Sequence, residues 1–175
     1  MPTIIKPGRQ SGKTQSDNIF LLLGSNLGDT AANLTQALGE IASKLGTITN
    51  RSSRYRTAPW GITDQPYFLN QVVQISSFLE AHELLDGINA IEASMGRVRH
   101  VKWDARIIDI DILFYDDRVI HNARLNIPHP GIPLRRFTLE PLAELIPDFV
   151  HPELQKTIHT LLIECPDHSE VERLA

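Results

Sequence analysis

Ile107-Ile108-Asp109-Ile110-Asp111-Ile112-Leu113-Phe114-Tyr115, residues 107–115, is a β-branched and aromatic run in which isoleucine and aspartate alternate. A period of two sends successive side chains to opposite faces of a strand, so Ile108, Ile110 and Ile112 share one face and Asp109 and Asp111 the other. The run reads as a strand, with Asp116-Asp117 as the turn of a hairpin into Arg118 to Ile120. Upstream of it, Ala81 to Met95 carries Leu84, Ile88, Ile91 and Met95 on one helical face, closed by Gly96. Before that helix, Leu69 to Phe78 is a strand, Thr57 to Pro66 a loop, and Thr47 to Arg56 a further strand. Asp29 caps an earlier helix whose apolar face is Leu34, Ala37, Leu38, Ile41, Ala42 and Leu45, with Gly46 where a left-handed C-cap is wanted. Ile19 to Leu23 is a continuous apolar run and reads as a buried strand.

The order is strand, helix, strand, strand, helix, strand. It predicts an α+β fold, a ferredoxin-like sandwich in which an antiparallel sheet carries helices on one face. A proline-rich C-terminal extension follows: Pro128 to Pro141 as a structured loop entering a short helix over Glu140 to Leu145, then a last helix within His151 to Glu164. The acidic end from Glu164 to Ala175 is expected to fray. Residues 1–17, polar and broken by Pro2, Pro7, Gly8 and Gly12, read as an arm. Gly12-Lys13-Thr14 mimics the end of a phosphate-binding loop, but the required first glycine falls on Pro7 and the strand and helix of that motif are missing.

The chain has 175 residues, 42% of them apolar, enough for a real core and too many for wholesale disorder. Seventeen Lys and Arg against 21 Asp and Glu leave a net charge of −4, which argues against a general nucleic-acid coat. The single cysteine, Cys165, excludes an internal disulfide and a cysteine-rich zinc site. No stretch approaches the roughly 20 apolar residues that span a bilayer, and Met1 to Asp17 has no apolar centre. A cytoplasmic protein that engages neither membrane nor nucleic acid is expected.

Asp109 and Asp111 are neighbours by construction. Their side-chain roots are set two residues apart on a strand rising about 3.3 Å per residue, so the carboxylates repel unless a cation lies between them. Hard oxygens on a rigid strand suit Mg2+, which takes one or two carboxylates and completes its shell with water and phosphate oxygens. An isolated pair of this kind is more often the solvated face of an edge strand. Here, however, the preceding segment Gly96 to Arg106 holds four formal positive charges, Arg97, Arg99, Lys102 and Arg106, with His100 and Trp103 among them. Arginine forks bind phosphate oxygens in pairs, and a basic loop beside a carboxylate pair fits transfer of a phosphoryl-type group.

The run Gly96-Arg97-Val98-Arg99, then Lys102-Trp103-Asp104-Ala105-Arg106-Ile107-Ile108-Asp109-Ile110-Asp111-Ile112-Leu113, resembles the signature of the 6-hydroxymethyl-7,8-dihydropterin pyrophosphokinase family. Leu23 to Gly28, Tyr55 to Pro59, Asp64 to Pro66, Phe68 to Asn70, Pro128 to Pro130 and Arg135 to Phe137 resemble further segments of that family. The similarity runs from about Asn18 to about Ile163, so residues 18–163 would be the pyrophosphokinase domain and 164–175 an acidic tail. The resemblance implies transfer of diphosphate from ATP to the hydroxymethyl oxygen of 6-hydroxymethyl-7,8-dihydropterin, giving AMP, in folate biosynthesis, by a monomer.

By the same resemblance, Asp109 and Asp111 would hold two Mg2+ ions, and Arg97, Arg99 and Arg106 would act in catalysis. Glu92, Arg99, Trp103, Arg106, Ile112, Leu125, Asn126, His129 and Arg135 would meet ATP, with backbone near Ile112, Leu125 and Asn126 reading adenine. Thr57, Ala58, Phe68, Asn70 and Phe137 would hold the pterin: Asn70 by its donor-and-acceptor amide, Phe68 and Phe137 as stacked walls. The chain departs from the family pattern at Asp104-Ala105, where Gly-Pro is usual, and at Asn89, Pro130 and Phe68. The competing reading is a non-catalytic ferredoxin-like module that binds RNA or a regulatory nucleotide, since this fold hosts unrelated functions. Sheet-based RNA binding would want exposed aromatics on the two central strands and a broad basic face, and neither is evident.

Overall fold

A computed structural model describes residues 12–59, 64–96 and 105–174. In chain order the elements are β1 (Ser16–Ser25), α1 (Thr30–Lys44), β2 (Thr47–Arg51), β3 (Tyr55–Thr57), β4 (Phe68–Ser77), α2 (Ala81–Ser94), β5 (Asp109–Tyr115), β6 (Ile120–His121), β7 (Asn126–Ile127), α3 (Arg136–Leu145), α4 (Ile158–Glu164) and β8 (Val171–Arg173). The main sheet runs β5-β1-β4-β3-β8, with β2 also paired to β4, and its pairings are antiparallel. This is the strand arrangement expected of the ferredoxin-like sandwich.

Both faces of β1 are buried, which is why its sequence is continuously apolar. Ile19, Leu21 and Leu23 pack with Leu34 and Ile41 of α1 and Ile88 and Ile91 of α2. Phe20 and Leu22 face the other way, with Leu139 and Leu142 of α3 and Ile158 and Leu161 of α4. Helices therefore cover both faces of the sheet, a correction to the expectation of one. The second layer comes from the segment after β5, whose prolines hid its helical periodicity.

Several boundaries also moved. Asp29 does cap α1, its side chain accepting from the Ala32 N–H at 3.0 Å. Gly46, though, is not left-handed; a Cβ there would lie 2.1 Å from the Ser76 carbonyl oxygen, so glycine is required by close approach of two backbones. Gly96 does take a positive φ, 84°, as expected of a helix stop. The strand predicted over Thr47 to Arg56 is two, β2 and β3, and between them the Ser52 hydroxyl accepts from the Val72 N–H in place of a backbone carbonyl. Asp116 turns the chain with φ 51°, but β6 pairs with β7 and not back onto β5, so the expected hairpin does not form.

α3 starts at Arg136 and carries Pro141 inside it, where the sequence suggested a proline near a helix start. The last helix begins only at Ile158, capped by Thr157. The acidic end does not fray: β8 adds to the sheet edge through Tyr55↔Arg173 and Thr57↔Val171, and Arg56 and Glu172 form an ion pair at 3.0 Å. Among the described residues no helix is long and apolar enough to cross a membrane.

Candidate active site

Strand parity builds the site. Ile108, Ile110 and Ile112 point into the core under α1 and α2, which turns Asp109 and Asp111 to the opposite face. A register shift follows at once: Leu21 pairs Ile112, yet Phe20 pairs Phe114. The extra residue puts Leu113 and Phe114 both into the second core, so the acidic stretch of β5 ends where packing resumes. On neighbouring β1, Leu22 lies across from Asp111 and Gly24 across from Asp109. Gly24 is in turn across from Asn70 of β4, and Phe68 is paired with Thr57 of β3.

These residues open into one pocket, lined by Leu22, Gly24, Thr57, Ala58, Phe68, Asn70, Arg106, Asp109, Asp111, Arg135 and Phe137. The carboxylates stand on β5 and the amide on β4, with β1 between, so the two chemistries are about 10 Å apart across the sheet.

The carboxylate end is held among cations. Arg106 Nη1 donates to Asp109 Oδ2 at 2.9 Å, with the side chains 15% and 25% exposed. Burial lowers the pKa of Arg135, the carboxylates of Asp111 and Asp109 work against that, and the Arg106 charge adds to it. The Arg135 guanidinium lies 5.9 Å from the centre of the Phe137 ring, within cation–π reach. Beside it, burial pushes the His129 imidazole down to about 4, with the Arg135 charge reinforcing and Asp109 opposing. His129 is neutral at neutral pH. Its Nδ1 accepts from the Gly131 N–H at 3.0 Å, which leaves the ring hydrogen on Nε2.

At the other end, Asn70 is 3% exposed and its Nδ2 donates to Thr57 Oγ1 at 2.7 Å. That bond fixes which way the amide faces. Gly24 leaves room for it: a Cβ on Gly24 would sit 2.8 Å from Asn70 Oδ1. Thr57, Phe68 and Phe137 complete a slot with flat apolar walls and a polar edge, suited to a planar heteroaromatic ring.

Asp109 and Asp111 fit a hard divalent cation. They are two adjacent carboxylates on a rigid strand, open to a pocket and attended by arginines, which is the donor set for Mg2+ shared with phosphate oxygens. No group of three or more His, Cys, Asp or Glu able to hold a metal occurs among the described residues; Mg2+ commonly completes its shell with water and substrate oxygens.

Sequence reasoning brought together Thr57, Ala58, Phe68, Asn70, Arg106, Asp109, Asp111, Arg135 and Phe137, all of which line the pocket. Ile112 and Leu125 do not; their side chains are in the first core, 5% and 6% exposed, and only their backbone remains for recognition. Asn126 pairs with His121 in β7 on β6, and Glu92 is buried in α2 at 3% exposure. Neither these two nor His129 lines the pocket. Arg97, Arg99 and Trp103 lie outside the described residues.

Leu22, Gly24 and Asn26 received no role from the sequence. Parity on β1 marks the first two. Asn26, 2% exposed, ties loops together: its Nδ2 donates to Gln65 Oε1 at 2.7 Å and to the Pro66 carbonyl at 3.2 Å. Its Oδ1 accepts from the Arg106 N–H at 2.8 Å, and its own N–H donates to the Arg106 carbonyl at 3.1 Å. α3 is anchored as well. Glu144 accepts from Ser53 N–H at 3.0 Å and from the Tyr55 hydroxyl at 2.6 Å.

A family model described as 7,8-dihydro-6-hydroxymethylpterin-pyrophosphokinase (HPPK) matches residues 20–147. A 2-amino-4-hydroxy-6-hydroxymethyldihydropteridine pyrophosphokinase of Methylorubrum extorquens is 47% identical over 132 residues, covering 75% of this chain and 84% of that protein. One from Haemophilus influenzae is 38% identical over 154 residues, 87% of this chain and 96% of that protein. A crystal structure of Plasmodium falciparum HPPK-DHPS superposes with a TM-score of 0.73 at 21% identity, over 89% of this chain and 45% of that one, a likeness of fold.

Proposed function

The chain belongs to the 7,8-dihydro-6-hydroxymethylpterin-pyrophosphokinase family, and on that premise we propose how its own residues perform the family's reaction. It transfers diphosphate from ATP to the hydroxymethyl group of 6-hydroxymethyl-7,8-dihydropterin and releases AMP, a step in folate biosynthesis. The pterin oxygen forms a bond to the β-phosphorus, the bond from that phosphorus to the α,β-bridging oxygen breaks so that AMP leaves with that oxygen, and the hydroxyl proton passes to solvent. A non-catalytic RNA- or nucleotide-binding module is not favoured.

Asn70 reads the pterin edge by its amide, oriented by Thr57, while Phe68 and Phe137 stack on the ring faces. Asp109 and Asp111 would hold the Mg2+, two ions in this reading. Bound there, Mg2+ would supply charge neutralisation and a template for the phosphates. Arg106, Arg135 and, from the adjacent basic segment, Arg97 and Arg99 grip phosphate oxygens and stabilise charge as it moves to the leaving AMP. Trp103 and Glu92 join the nucleotide side, and His129 donates there from Nε2. Backbone at Ile112, Leu125 and Asn126 reads adenine. Holding both substrates in one cleft converts a bimolecular encounter into an intramolecular one.

The observation that carries this reading is the shared pocket, with paired carboxylates and arginines on one side of Gly24 and the Asn70-Thr57 amide edge on the other. Incubation with ATP, Mg2+ and the reduced hydroxymethylpterin, followed by nucleotide identification, tests it. AMP with pterin diphosphate is expected; ADP, or no pterin-dependent turnover, contradicts it.

A further inference from the structure

Arg135 and Phe137, the pocket's guanidinium and one of its flat walls, flank Arg136, the first residue of α3. A helix start leaves four N–H groups without intrahelical partners, and they are usually met by a local cap. α3 has none: its N-cap position is Arg135, which makes no side-chain cap bond, and its first turn contains no acid. The acceptor arrives from 31 residues away. Asp167, between α4 and β8 and 8% exposed, accepts from the Arg136 N–H through Oδ2 at 3.0 Å.

The carboxylate is itself held. Its Oδ1 accepts from the Ser169 N–H at 2.9 Å and from the Ser169 hydroxyl. Burial works against its charge, but these bonds, the Arg136 N–H and the Arg136 charge prevail and hold Asp167 below the usual carboxylate range. A negative charge at the positive end of a helix is favourable in addition. Farther along the same segment, β8 pairs with β3, the strand that carries Thr57, and Arg173 donates to Glu144 Oε1 at 3.2 Å in the last turn of α3. The C-terminal segment thus grips α3 near both ends.

We propose that Asp167 is a positioning residue for the reaction: by capping α3 at Arg136 from a distant loop, it sets Arg135 and Phe137 at the angles the pocket needs. The inference rests on the pterin-binding reading above. A cap that served only stability would change melting and leave affinities of the folded protein alone.

The test uses the full chain as wild type, Asp167→Ala, Asp167→Asn and Ser169→Ala, measured well below the lowest melting temperature. Pterin binding is followed by fluorescence, and binding of a non-hydrolysable ATP analogue with Mg2+ by calorimetry. Asp167→Ala is expected to weaken pterin binding by roughly five- to tenfold, with Asp167→Asn between it and wild type. Equal pterin affinity in wild type and Asp167→Ala overturns the proposal, as does a loss that asparagine does not lessen. If Asp167→Ala does not fold, Ser169→Ala decides: a shift of about twofold in the same direction supports the proposal, and no shift overturns it. A wild type that binds no pterin at all would instead sink the functional reading, and the two failures are distinguishable.

Discussion

Asn26 and Arg106 exchange two hydrogen bonds, the Asn26 N–H to the Arg106 carbonyl at 3.1 Å and the Arg106 N–H to Asn26 Oδ1 at 2.8 Å. The end of β1 is thereby fastened to the backbone just ahead of the aspartate strand, and Asn26 Nδ2 fastens Gln65 and Pro66 to the same point. Asn26→Ala removes the side-chain hydrogen bonds to Gln65, Pro66 and Arg106, each worth about 0.5–1.5 kcal/mol. The expected result is a lower denaturant midpoint together with slower AMP formation. Stability and rate both within error of wild type would contradict the role.

Gly24 stands between the two chemistries of the pocket. An added methyl would come within 2.8 Å of Asn70 Oδ1 and force the amide off its 2.7 Å bond to Thr57. Gly24→Ala is predicted to weaken pterin binding about tenfold or more while leaving affinity for an ATP analogue near wild type. Parallel titrations of the two ligands check this; unchanged pterin affinity would show that the amide does not read the ring.

Glu144 gives the fold a pH dependence of known sign. Burial works against its ionisation, but hydrogen bonds from Tyr55 and Ser53 and the Arg173 charge hold its pKa below the ordinary 4.5. Its partner moves the other way: burial, then the hydrogen bond to Glu144, raise the Tyr55 phenol. A carboxylate with a depressed folded pKa contributes stability that is present above its unfolded pKa and lost as pH falls through the folded value. The melting-temperature gap between wild type and Glu144→Gln should be steady from neutral pH to about 5 and shrink as pH drops below about 4. A gap that persists undiminished into strong acid would contradict the assignment.

The alternation of Ile108, Asp109, Ile110, Asp111 and Ile112 made the site legible because β5 is buried on one face only where the carboxylates stand. Gly96 and Asp29 were equally plain, being local chemistry. The helices of the second layer were not. α3 draws its cap from Asp167 and encloses Pro141, so neither its start nor its course is written in neighbouring residues. β8 was invisible for a related reason: Val171–Arg173 is polar and short, and becomes a strand only because the β3 edge is available to it. Gly24 and Asn26 needed the register of β1 against β4 and the Arg106 segment before their purposes could be seen.

In the proposed reaction, Asp109 and Asp111 are the pair that brings Mg2+ and the triphosphate to the pterin. AMP formation by Asp111→Ala at saturating Mg2+, ATP and pterin tests it most directly. The predicted result is a loss of at least about a thousandfold, in keeping with several kcal/mol of transition-state stabilisation, with pterin affinity and melting temperature retained. Turnover by Asp111→Ala close to the wild-type rate would contradict it.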